Sequence, residues 1–254
     1  MSKDKDKIRA WNKAAIKNPM RYIAAQKRNW EQESFFASGR RDVGTKIVPF
    51  LKQESFELTN KRALDIGCGI GRVTRPLSDF FNEVYGIDFS EQMIKKAKEL
   101  NADKKNLHFQ SNDGENIPFK DNYFDFCFSY LIFRHIRNKQ IIGRYIKEIC
   151  RTLKPKGLFK IEVNGQKYGK TIPVPRFIHN ILLKINILKY YYAIKRKDAV
   201  ASIAVPGVWL SVNDVKKYIN STSLKIIRIE GENTPSMWIS GIKPDIFNLR
   251  NGLS

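Results

Sequence analysis

Short apolar runs and amphipathic segments alternate along the middle of this chain. The apolar runs have the length of buried strands and end at polar or glycine residues. They are Ala63–Ile66, Val84–Asp88, Leu107–Ser111, Tyr123–Ser129 and Leu158–Val163. Between them, Ser90–Leu100 and Lys139–Leu153 place apolar residues at helical spacing. This alternation with short connections predicts an α/β fold, a parallel sheet with helices on both faces.

The N-terminal part has a different pattern. Before residue 60 no strand is predicted, and apolar residues recur at helical spacing in Ile8–Ala15, Tyr22–Trp30 and Val43–Leu51. The pairs Asn18-Pro19 and Ser38-Gly39 are the expected breaks between these helices. We therefore expect an N-terminal helical segment over residues 1–59.

The C-terminal part returns to regular structure. Ser211–Ile219 begins with capping residues and predicts a helix. Leu224–Glu230 and Met237–Ile242 predict two strands, joined by the turn residues Gly231–Pro235. Two strands with a short glycine and proline turn form a hairpin.

Three glycines follow the first predicted strand at intervals of two residues, at Gly67, Gly69 and Gly71. Without Cβ atoms the backbone can turn sharply and lie close to a ligand, and a following helix would offer free N–H donors. A tight turn without a ligand would also explain the spacing. The dinucleotide pattern G-x-G-x-x-G requires a third glycine where this chain has Arg72. Asp65, just before the glycines, would repel a pyrophosphate and favour a cation such as an ammonium or a sulfonium.

The segment Leu64–Gly71 resembles the first motif of the class I S-adenosylmethionine-dependent methyltransferases. Three more segments match that family in order: Val84–Ser90, Asn112–Phe119 and Tyr123–Ser129. The turn Leu153–Gly157 before the next strand is also similar to the family. The resemblance implies a Rossmann-like, doubly wound sheet of seven strands, with order 3-2-1-4-5-7-6 and the last strand antiparallel.

The resemblance also implies a cofactor site for S-adenosylmethionine, with S-adenosylhomocysteine as product. Asp88 would hold the ribose hydroxyls, Phe89 would cover the adenine, and Asp113 would accept from the adenine amino group. The carbonyls of Ser129 and Tyr130 would accept from the methionine ammonium. The expected cofactor-binding residues are Asp65, Gly67, Cys68, Gly69, Asp88, Phe89, Met93, Asn112, Asp113, Gly114, Ser129, Tyr130 and Arg40.

Two of the candidate residues have plain structural alternatives. Arg40, with Arg41, is a candidate for the methionine carboxylate because a guanidinium suits a carboxylate, yet packing or surface charge would also explain it. His135 is the candidate catalytic base, since imidazole titrates near neutral pH. Methyl transfer from a sulfonium needs positioning more than proton transfer, so a structural role for His135 stays open.

Residues 165–211 do not fit the strand and helix alternation. Gly165–Pro175 has the composition of a loop, and Phe177–Lys197 is apolar around most of a helix with a basic end. A lid helix packed on the core, a dimer contact and a basic surface for lipid all remain open. We expect residues 60–254 to form the core, with 165–211 inserted as a substrate cap and 1–59 as an N-terminal lid.

Composition adds a strong positive charge. The chain has 254 residues with a net charge of +21, which suits RNA, an anionic membrane surface or an acidic small molecule. A lysine-rich, solvated surface would explain the charge equally well. Three cysteines without C-x-x-C spacing favour small core residues over disulfides or metal ligands. No signal-type or membrane-spanning run is present, so we expect a cytoplasmic protein, with attachment to a membrane surface left open.

The sequence thus predicts a methyltransferase that passes a methyl group to an oxygen, nitrogen or carbon atom of a small or lipid-like molecule. An RNA methyltransferase is the alternative suggested by the charge, and a non-catalytic S-adenosylmethionine-binding protein is another. DNA is not expected as a partner and no metal is expected. The acceptor and the oligomeric state stay open.

Overall fold

The computed structural model describes residues 2–24, 27, 29–166 and 207–245, with side chains from residue 8 onward. Most of the predicted substrate cap, including Phe177–Lys197, lies outside the described residues. The strands are β1 Arg62–Ile66, β2 Glu83–Asp88, β3 Leu107–Ser111, β4 Phe124–Ser129, β5 Leu153–Val163, β6 Lys225–Glu230 and β7 Met237–Ile242. Within the described residues they form one sheet of order β3-β2-β1-β4-β5-β7-β6.

The sheet is parallel except at its last strand. β1 pairs in parallel with β2 on one side and with β4 on the other. β7 lies antiparallel to both β5 and β6. The predicted strand order, the antiparallel last strand and the C-terminal hairpin are all confirmed.

Helices pack on both faces of the sheet, and the N-terminal helices precede it in the chain. They are α1 Ser2–Lys17, α2 Pro19–Ile23, α3 Gln32–Asp42, α4 Val48–Gln53, α5 Thr74–Leu77, α6 Glu91–Leu100, α7 Lys139–Thr152 and α8 Val212–Asn220. A π-helical turn, Val43–Ile47, joins α3 to α4, and a short 3₁₀ turn, Phe133–His135, follows β4. The Ser90 hydroxyl accepts from the Met93 N–H and caps α6, as the sequence predicts.

Two expected features of the N-terminal helices are wrong. The predicted helix Tyr22–Trp30 ends at Ile23. The predicted break at Ser38-Gly39 lies inside α3, because Gly39 serves packing and not a turn. A Cβ on Gly39 would lie 1.8 Å from the carbonyl oxygen of Arg72, so glycine lets α3 approach the glycine loop.

The boundary between α7 and β5 also differs from the prediction. The helix ends at Thr152, one residue before its predicted end, and β5 begins at Leu153, five residues before its predicted start at Leu158. Early pairing is possible because Lys156 adopts a left-handed φ of 64°. The Lys243 ammonium donates to the Leu153 carbonyl at 2.8 Å, which holds the start of the strand.

β4 lies at the centre of the core, and all its residues are buried. One face of the sheet packs Leu64, Ile87 and Phe159 against α7 and α8. The N-terminal helices form a separate cluster, in which Phe35 contacts residues of the glycine loop region and α6. Within the described residues, no helix combines the length and apolar character needed to span a bilayer.

Candidate active site at the strand ends

The carboxyl ends of β1, β2 and β4 lie side by side, and hydrogen bonds link them. The Gly67 N–H donates to the Ile87 carbonyl at 2.7 Å, which joins the β1 end to β2. The Ser129 hydroxyl donates to the Ile66 carbonyl at 2.9 Å, which joins it to β4. Ligands of open α/β sheets bind at this edge. The structure therefore brings together three predicted site residues, Asp65, Asp88 and Ser129.

Gly67, Gly69 and Gly71 have φ values of 76°, 55° and 89°, in the left-handed region that favours glycine. Side chains from other elements lie against all three, with Asn101 and Phe109 beside Gly71. A Cβ on Gly67 would lie 2.1 Å from Cγ1 of Ile132, and one on Gly69 would lie 2.8 Å from Cδ1 of Ile23. We call Asp65, Asp88 and these three glycines the carboxylate rim.

The expectation of free N–H donors is wrong for four residues of the glycine loop, Gly67, Cys68, Gly69 and Gly71. The Gly67 and Cys68 N–H groups both donate to Ile87, and the Gly71 N–H donates to Cys68. The Gly69 N–H donates to Asp88 at 3.0 Å. The helix after the loop, α5, has four residues. The glycines therefore act through their missing side chains, and the carboxylates supply the polar groups of the rim.

Asp88 ends β2 with its carboxylate 7% exposed. One oxygen accepts from the Gly69 N–H at 3.0 Å and the other from the Ser90 N–H at 2.9 Å. A carboxylate has about four acceptor positions, so about two remain for a ligand. Burial raises the pKa of Asp88 to about 6, and the two backbone hydrogen bonds oppose that rise. Asp88 can accept two neighbouring hydroxyls.

Asp65 is 3% exposed and accepts from the Thr74 hydroxyl at 2.7 Å. Burial raises the pKa of Asp65 to about 6, the Thr74 hydrogen bond and the Arg72 charge oppose the rise, and the Asp88 charge adds to it. Two neighbouring buried carboxylates with raised pKa values create a site that a positive ligand would stabilise. This fits the sulfonium and ammonium of the expected cofactor.

Arg72 is a buried residue whose role the sequence did not indicate. Its NH1 donates to Asp42 at 2.6 Å and to the Ser38 hydroxyl at 3.4 Å, which ties α3 to the glycine loop. Within the described residues its Nε is buried and has no hydrogen-bond partner. The sequence showed Arg72 only as the residue that replaces a third glycine.

The Tyr130 side chain lies on the Arg72 side of the rim. Its ring lies 5.2 Å from that of Trp238, and the guanidinium carbon of Arg72 lies 5.6 Å from its centroid. Burial raises the pKa of Tyr130 to about 12, with a further contribution from the Asp42 charge. The expected contact with the methionine ammonium involves the backbone carbonyl of Tyr130 and not its side chain.

The loop after β3 lies beside Phe89. Gly114 has a φ of 83°, and a Cβ there would lie 3.6 Å from Cβ of Phe89, so the loop passes close to Phe89. The Asn112 N–H donates to the Asp88 carbonyl at 3.2 Å, which fixes the loop to β2. Its side-chain amide donates to the Tyr145 hydroxyl at 3.1 Å.

The carboxylate of Asp113 is engaged by its own turn. One oxygen accepts from the N–H groups of Glu115 and Asn116 at 2.9 and 2.7 Å, and the other accepts from the Asn116 amide. Asp113 is exposed. Its side chain shapes the loop in this structure, so an adenine contact would have to share these oxygens.

The side chains of three other expected residues do not lie at the exposed edge of the carboxylate rim. Arg40 has a 71% exposed side chain and pairs with Asp79 at 3.5 Å, so the structure does not bring it to the rim. The outward face of α3 carries it away, while Gly39 faces Arg72. Met93 is buried among apolar residues of the N-terminal helices. Cys68 is buried, and burial raises the pKa of its thiol.

The first helix belongs to the segment predicted as a lid, and two of its side chains contact elements of the site. The Ser90 hydroxyl donates to Asn12 Oδ1 at 2.6 Å, beside Asp88. On the same helix, the Trp11 ring meets His135 edge-on with centroids 6.4 Å apart. α1 thus contacts both the end of β2 and the turn after β4. His135 lies at the edge of the site, against the lid.

Residues 64–161 match a protein-family model described as a methyltransferase domain. Demethylmenaquinone methyltransferase of Staphylococcus haemolyticus strain JCSC1435 is 32% identical over 126 residues, or 48% of this chain and 50% of that protein. The corresponding enzyme of Staphylococcus aureus strain JH9 is 33% identical over 126 residues. The chain spans about half the length of the curated relatives it matches.

Solved structures show the same fold at low identity. Magnesium protoporphyrin IX methyltransferase from Synechocystis PCC 6803, with bound S-adenosylhomocysteine, superposes with a TM-score of 0.59 at 17% identity. The match covers 92% of this chain and 97% of that chain. Together with the strand order, these findings confirm the fold and the family resemblance. Residues 64–161 match a methyltransferase domain, and the seven-stranded sheet has the strand order of the class I, Rossmann-like methyltransferase fold.

Proposed function

We propose that this protein is an S-adenosylmethionine-dependent methyltransferase that acts on a small or lipid-like molecule. The observation that carries the proposal is the carboxylate rim, where Asp65 and Asp88 are buried beside left-handed glycines. Burial without a positive partner is costly for a carboxylate, and a cationic ligand with hydroxyls would offset that cost. The methyltransferase-domain match over residues 64–161 supports the same ligand.

The rim residues have distinct roles in this proposal. Asp88 accepts from the two ribose hydroxyls with its remaining lone pairs, and Asp65 favours the positive end of the cofactor. Phe89 and Gly114 flank the adenine. The backbone of Gly67, Cys68 and Gly69 lies against the ligand where side chains are absent.

Five further residues support the rim. Met93 packs behind it, under the lid, and Asn112 holds the adenine loop. Asp113 shapes that loop and shares its oxygens with the adenine amino group. The backbone carbonyls of Ser129 and Tyr130 accept from the ammonium.

S-adenosylmethionine would supply an electrophilic methyl group, so the protein's main task is to align the acceptor with it. The lid formed by residues 1–59 excludes water from the rim through α1 and α2. His135, which contacts Trp11 of the lid, is the candidate to take a proton from a hydroxyl or amine acceptor. Residues 60–254 form the core, with 165–211 as the substrate cap.

The acceptor class rests on the relatives and on apolar surface. The curated relatives are named demethylmenaquinone methyltransferases, which supports a small, lipid-like acceptor. Half-buried aromatic rings at Tyr130 and Trp238 would suit such a molecule. A net charge of +21 supports contact with an anionic membrane surface.

An RNA acceptor is the second candidate because the same charge would attract a polyanion. Its binding would weaken steeply with added salt, since each neutralised phosphate releases a counterion. Binding of a lipid-like acceptor would change little with salt. A titration of RNA binding from about 50 to 200 mM salt separates the two.

The decisive experiment traces a labelled methyl group. The protein is incubated with methyl-labelled S-adenosylmethionine and a fractionated cell lysate, and the label is followed into lipid, small-molecule, RNA and protein pools. We expect label in the lipid or small-molecule pool. Label in RNA alone would replace the acceptor class. Binding of the cofactor without label in any pool would leave a non-catalytic binding protein, and no binding would refute the proposal.

A further inference from the structure

Polar side chains gather where β5 ends, on the far side of β4 from the carboxylate rim. Glu162 lies in β5 and is 1% exposed, and Asn164 follows the strand and is also 1% exposed. Two residues span about 7 Å along an extended chain. Arg134 approaches from the turn after β4, with its NH1 3.9 Å from Glu162 Oε1.

A returning segment holds Arg134 and Asn164 on either side of it. The Gly207 N–H donates to the Arg134 carbonyl at 2.7 Å. Three residues later, the Leu210 N–H donates to the Asn164 carbonyl at 2.8 Å. The two side chains therefore belong to one corner of the molecule although 30 residues separate them in sequence.

Asn164 has a side-chain donor without a hydrogen-bond partner among the described residues. Its Oδ1 accepts from the Gln166 N–H at 3.2 Å, which leaves the amide nitrogen as the outstanding group. Among the residues that the structure describes, none accepts a hydrogen bond from Asn164 Nδ2, although this atom is buried. Buried polar groups in folded proteins nearly always have a hydrogen-bond partner. An unpaired buried amide therefore indicates that a ligand supplies the acceptor atom.

Each carboxylate oxygen of Glu162, in contrast, already accepts a hydrogen bond from the protein. Its Oε2 accepts from the Leu131 N–H at 2.9 Å, and its Oε1 accepts from the Ser236 hydroxyl. Leu131 has a left-handed φ of 67°, which is rare for a branched apolar residue and tends to occur at functional sites. Glu162 therefore fixes the backbone just after Tyr130. The hydrogen-bond donors at this corner are Asn164 Nδ2 and the Arg134 guanidinium.

An aromatic surface adjoins these donors. Trp238 on β7 lies opposite Glu162 in the strand register. Its ring lies 5.2 Å from that of Tyr130, with 27° between their planes. Both residues are half-buried. We call Tyr130, Arg134, Glu162, Asn164 and Trp238 the β5 corner.

We propose that the β5 corner is an acceptor subsite that recognises a carboxylate or phenolate oxygen carried on an aromatic ring. Asn164 Nδ2 and the Arg134 guanidinium donate hydrogen bonds to the ligand oxygen. Tyr130 and Trp238 contact the ring, and Glu162 fixes the backbone just after Tyr130. This proposal rests on the proposed methyltransferase function and specifies the chemistry of its acceptor.

The test is a calorimetric titration of 1-hydroxy-2-naphthoate into protein saturated with S-adenosylhomocysteine at pH 7. This probe carries both oxygen types on an aromatic ring. We expect Asn164→Leu to weaken naphthoate binding about 10-fold or more, as loss of a hydrogen bond to a charged group does. Asn82→Leu, at an exposed position next to β2, is the matched control and should leave the affinity unchanged.

A second measurement separates a ligand-binding role from a structural one. Asn164→Leu removes an unpaired buried donor and also the acceptor of the Gln166 N–H, so we expect the Tm of the naphthoate-free protein to change by less than about 2 °C. Arg134→Gln should weaken naphthoate binding about 3-fold or more, while Arg228→Gln at an exposed position should not. Affinity for S-adenosylhomocysteine should stay the same in all four variants.

Three outcomes would overturn the proposal. The first is an unchanged naphthoate affinity in Asn164→Leu together with a lowered Tm, which would show a structural amide or one satisfied by water. The second is wild-type protein that binds S-adenosylhomocysteine but not naphthoate. The third is equal binding of naphthalene, which has no oxygen. Failure of the wild-type protein to bind S-adenosylhomocysteine would instead refute the proposed function, and naphthoate titration of the ligand-free protein would then decide the β5 corner alone.

Discussion

The carboxylate rim and the β5 corner lie on either side of β4 and are built in opposite ways. The rim presents acceptors, Asp65 and Asp88, each held by residues close to it in sequence or on the neighbouring strand. The β5 corner presents donors, Arg134 and Asn164, brought together by the distant segment 207–210. One side is therefore suited to a cation and the other to an anion or a polar oxygen. A transferase that joins two different substrates at one edge would have this asymmetry.

The largest expected effect concerns Asp65 and pH. Burial raises the pKa of Asp65 from 3.8 to about 6, so its contribution to stability is present below about pH 4 and is lost as the pH rises through 6. Asn does not titrate. Asp65→Asn should therefore gain up to about 3 kcal/mol in free energy of unfolding, relative to the wild-type protein, between pH 4 and 7.

Urea unfolding of the ligand-free protein at both pH values measures this gap. Asp121→Asn, at an exposed carboxylate, is the matched control. If the difference in free energy of unfolding between Asp65→Asn and the wild-type protein does not change with pH, the buried charge of Asp65 does not destabilise the ligand-free protein and our inference is wrong.

The next effect tests whether the β5 corner is independent of the rim. Glu162→Gln places an amide where a buried carboxylate accepts from Leu131 and Ser236. Hydrogen bonds to a charged group contribute about 1.5 to 3 kcal/mol, so we expect a loss of that size in free energy of unfolding. Affinity for S-adenosylhomocysteine should change less than about twofold at a temperature where both proteins are folded.

Glu230→Gln, at a more exposed position on β6, serves as the control for this change. An S-adenosylhomocysteine affinity that falls in proportion to the stability would mean that the two sides form one site.

A third change acts on the rim alone. Asp88→Ala removes the proposed ribose acceptor, and we expect a loss of about 1 to 3 kcal/mol in the binding free energy of S-adenosylhomocysteine. Calorimetry at pH 7 measures it. Arg40→Ala is the comparison, because Arg40 pairs with Asp79 at the surface and should leave the affinity unchanged. An unchanged dissociation constant for Asp88→Ala would refute the ribose assignment, and a weakened one for Arg40→Ala would restore its predicted role.

The smallest effect concerns the lid, which touches both sides. Asn12→Ala removes the hydrogen bond from Ser90 to α1 and should lower the free energy of unfolding by about 0.5 to 1.5 kcal/mol. Hydrogen exchange of the α1 amides should also become faster. Lys13→Ala, one position along on the exposed face, should change neither quantity. Unaltered exchange in Asn12→Ala would show that other contacts hold the lid.

Much of the fold was predictable because its signals are local. The edge strand β3 and the hairpin of β6 and β7 follow from short runs bounded by turn residues, and the predicted and observed bounds differ by at most one residue. Gly39 shows the limit of this approach. A glycine in a polar stretch predicts a break, but here it permits α3 to touch Arg72, and only the packed structure reveals that contact.

The candidate site also has residues that the sequence predicts and residues that it does not. The three glycines and the two aspartates were identified from sequence because one turn and one strand end position them. The partners of Arg40 and Arg72 were not, because which face of α3 meets the sheet depends on how the helix packs. Asn164 gave no signal either, since its unpaired amide exists only in relation to its three-dimensional surroundings.

By itself, the sequence determined the order of strands and helices, the left-handed loop and the buried carboxylates at its strand ends. These depend on residue type, on spacing of two or about 3.6, and on contacts within a few residues. The tertiary structure alone decided that Asn12 of α1 bonds Ser90, that Arg72 and not Arg40 lies beside the rim, and that the segment 207–210 bonds both Arg134 and Asn164. Those contacts join distant residues, and packing of whole elements, which no local pattern encodes, sets their geometry.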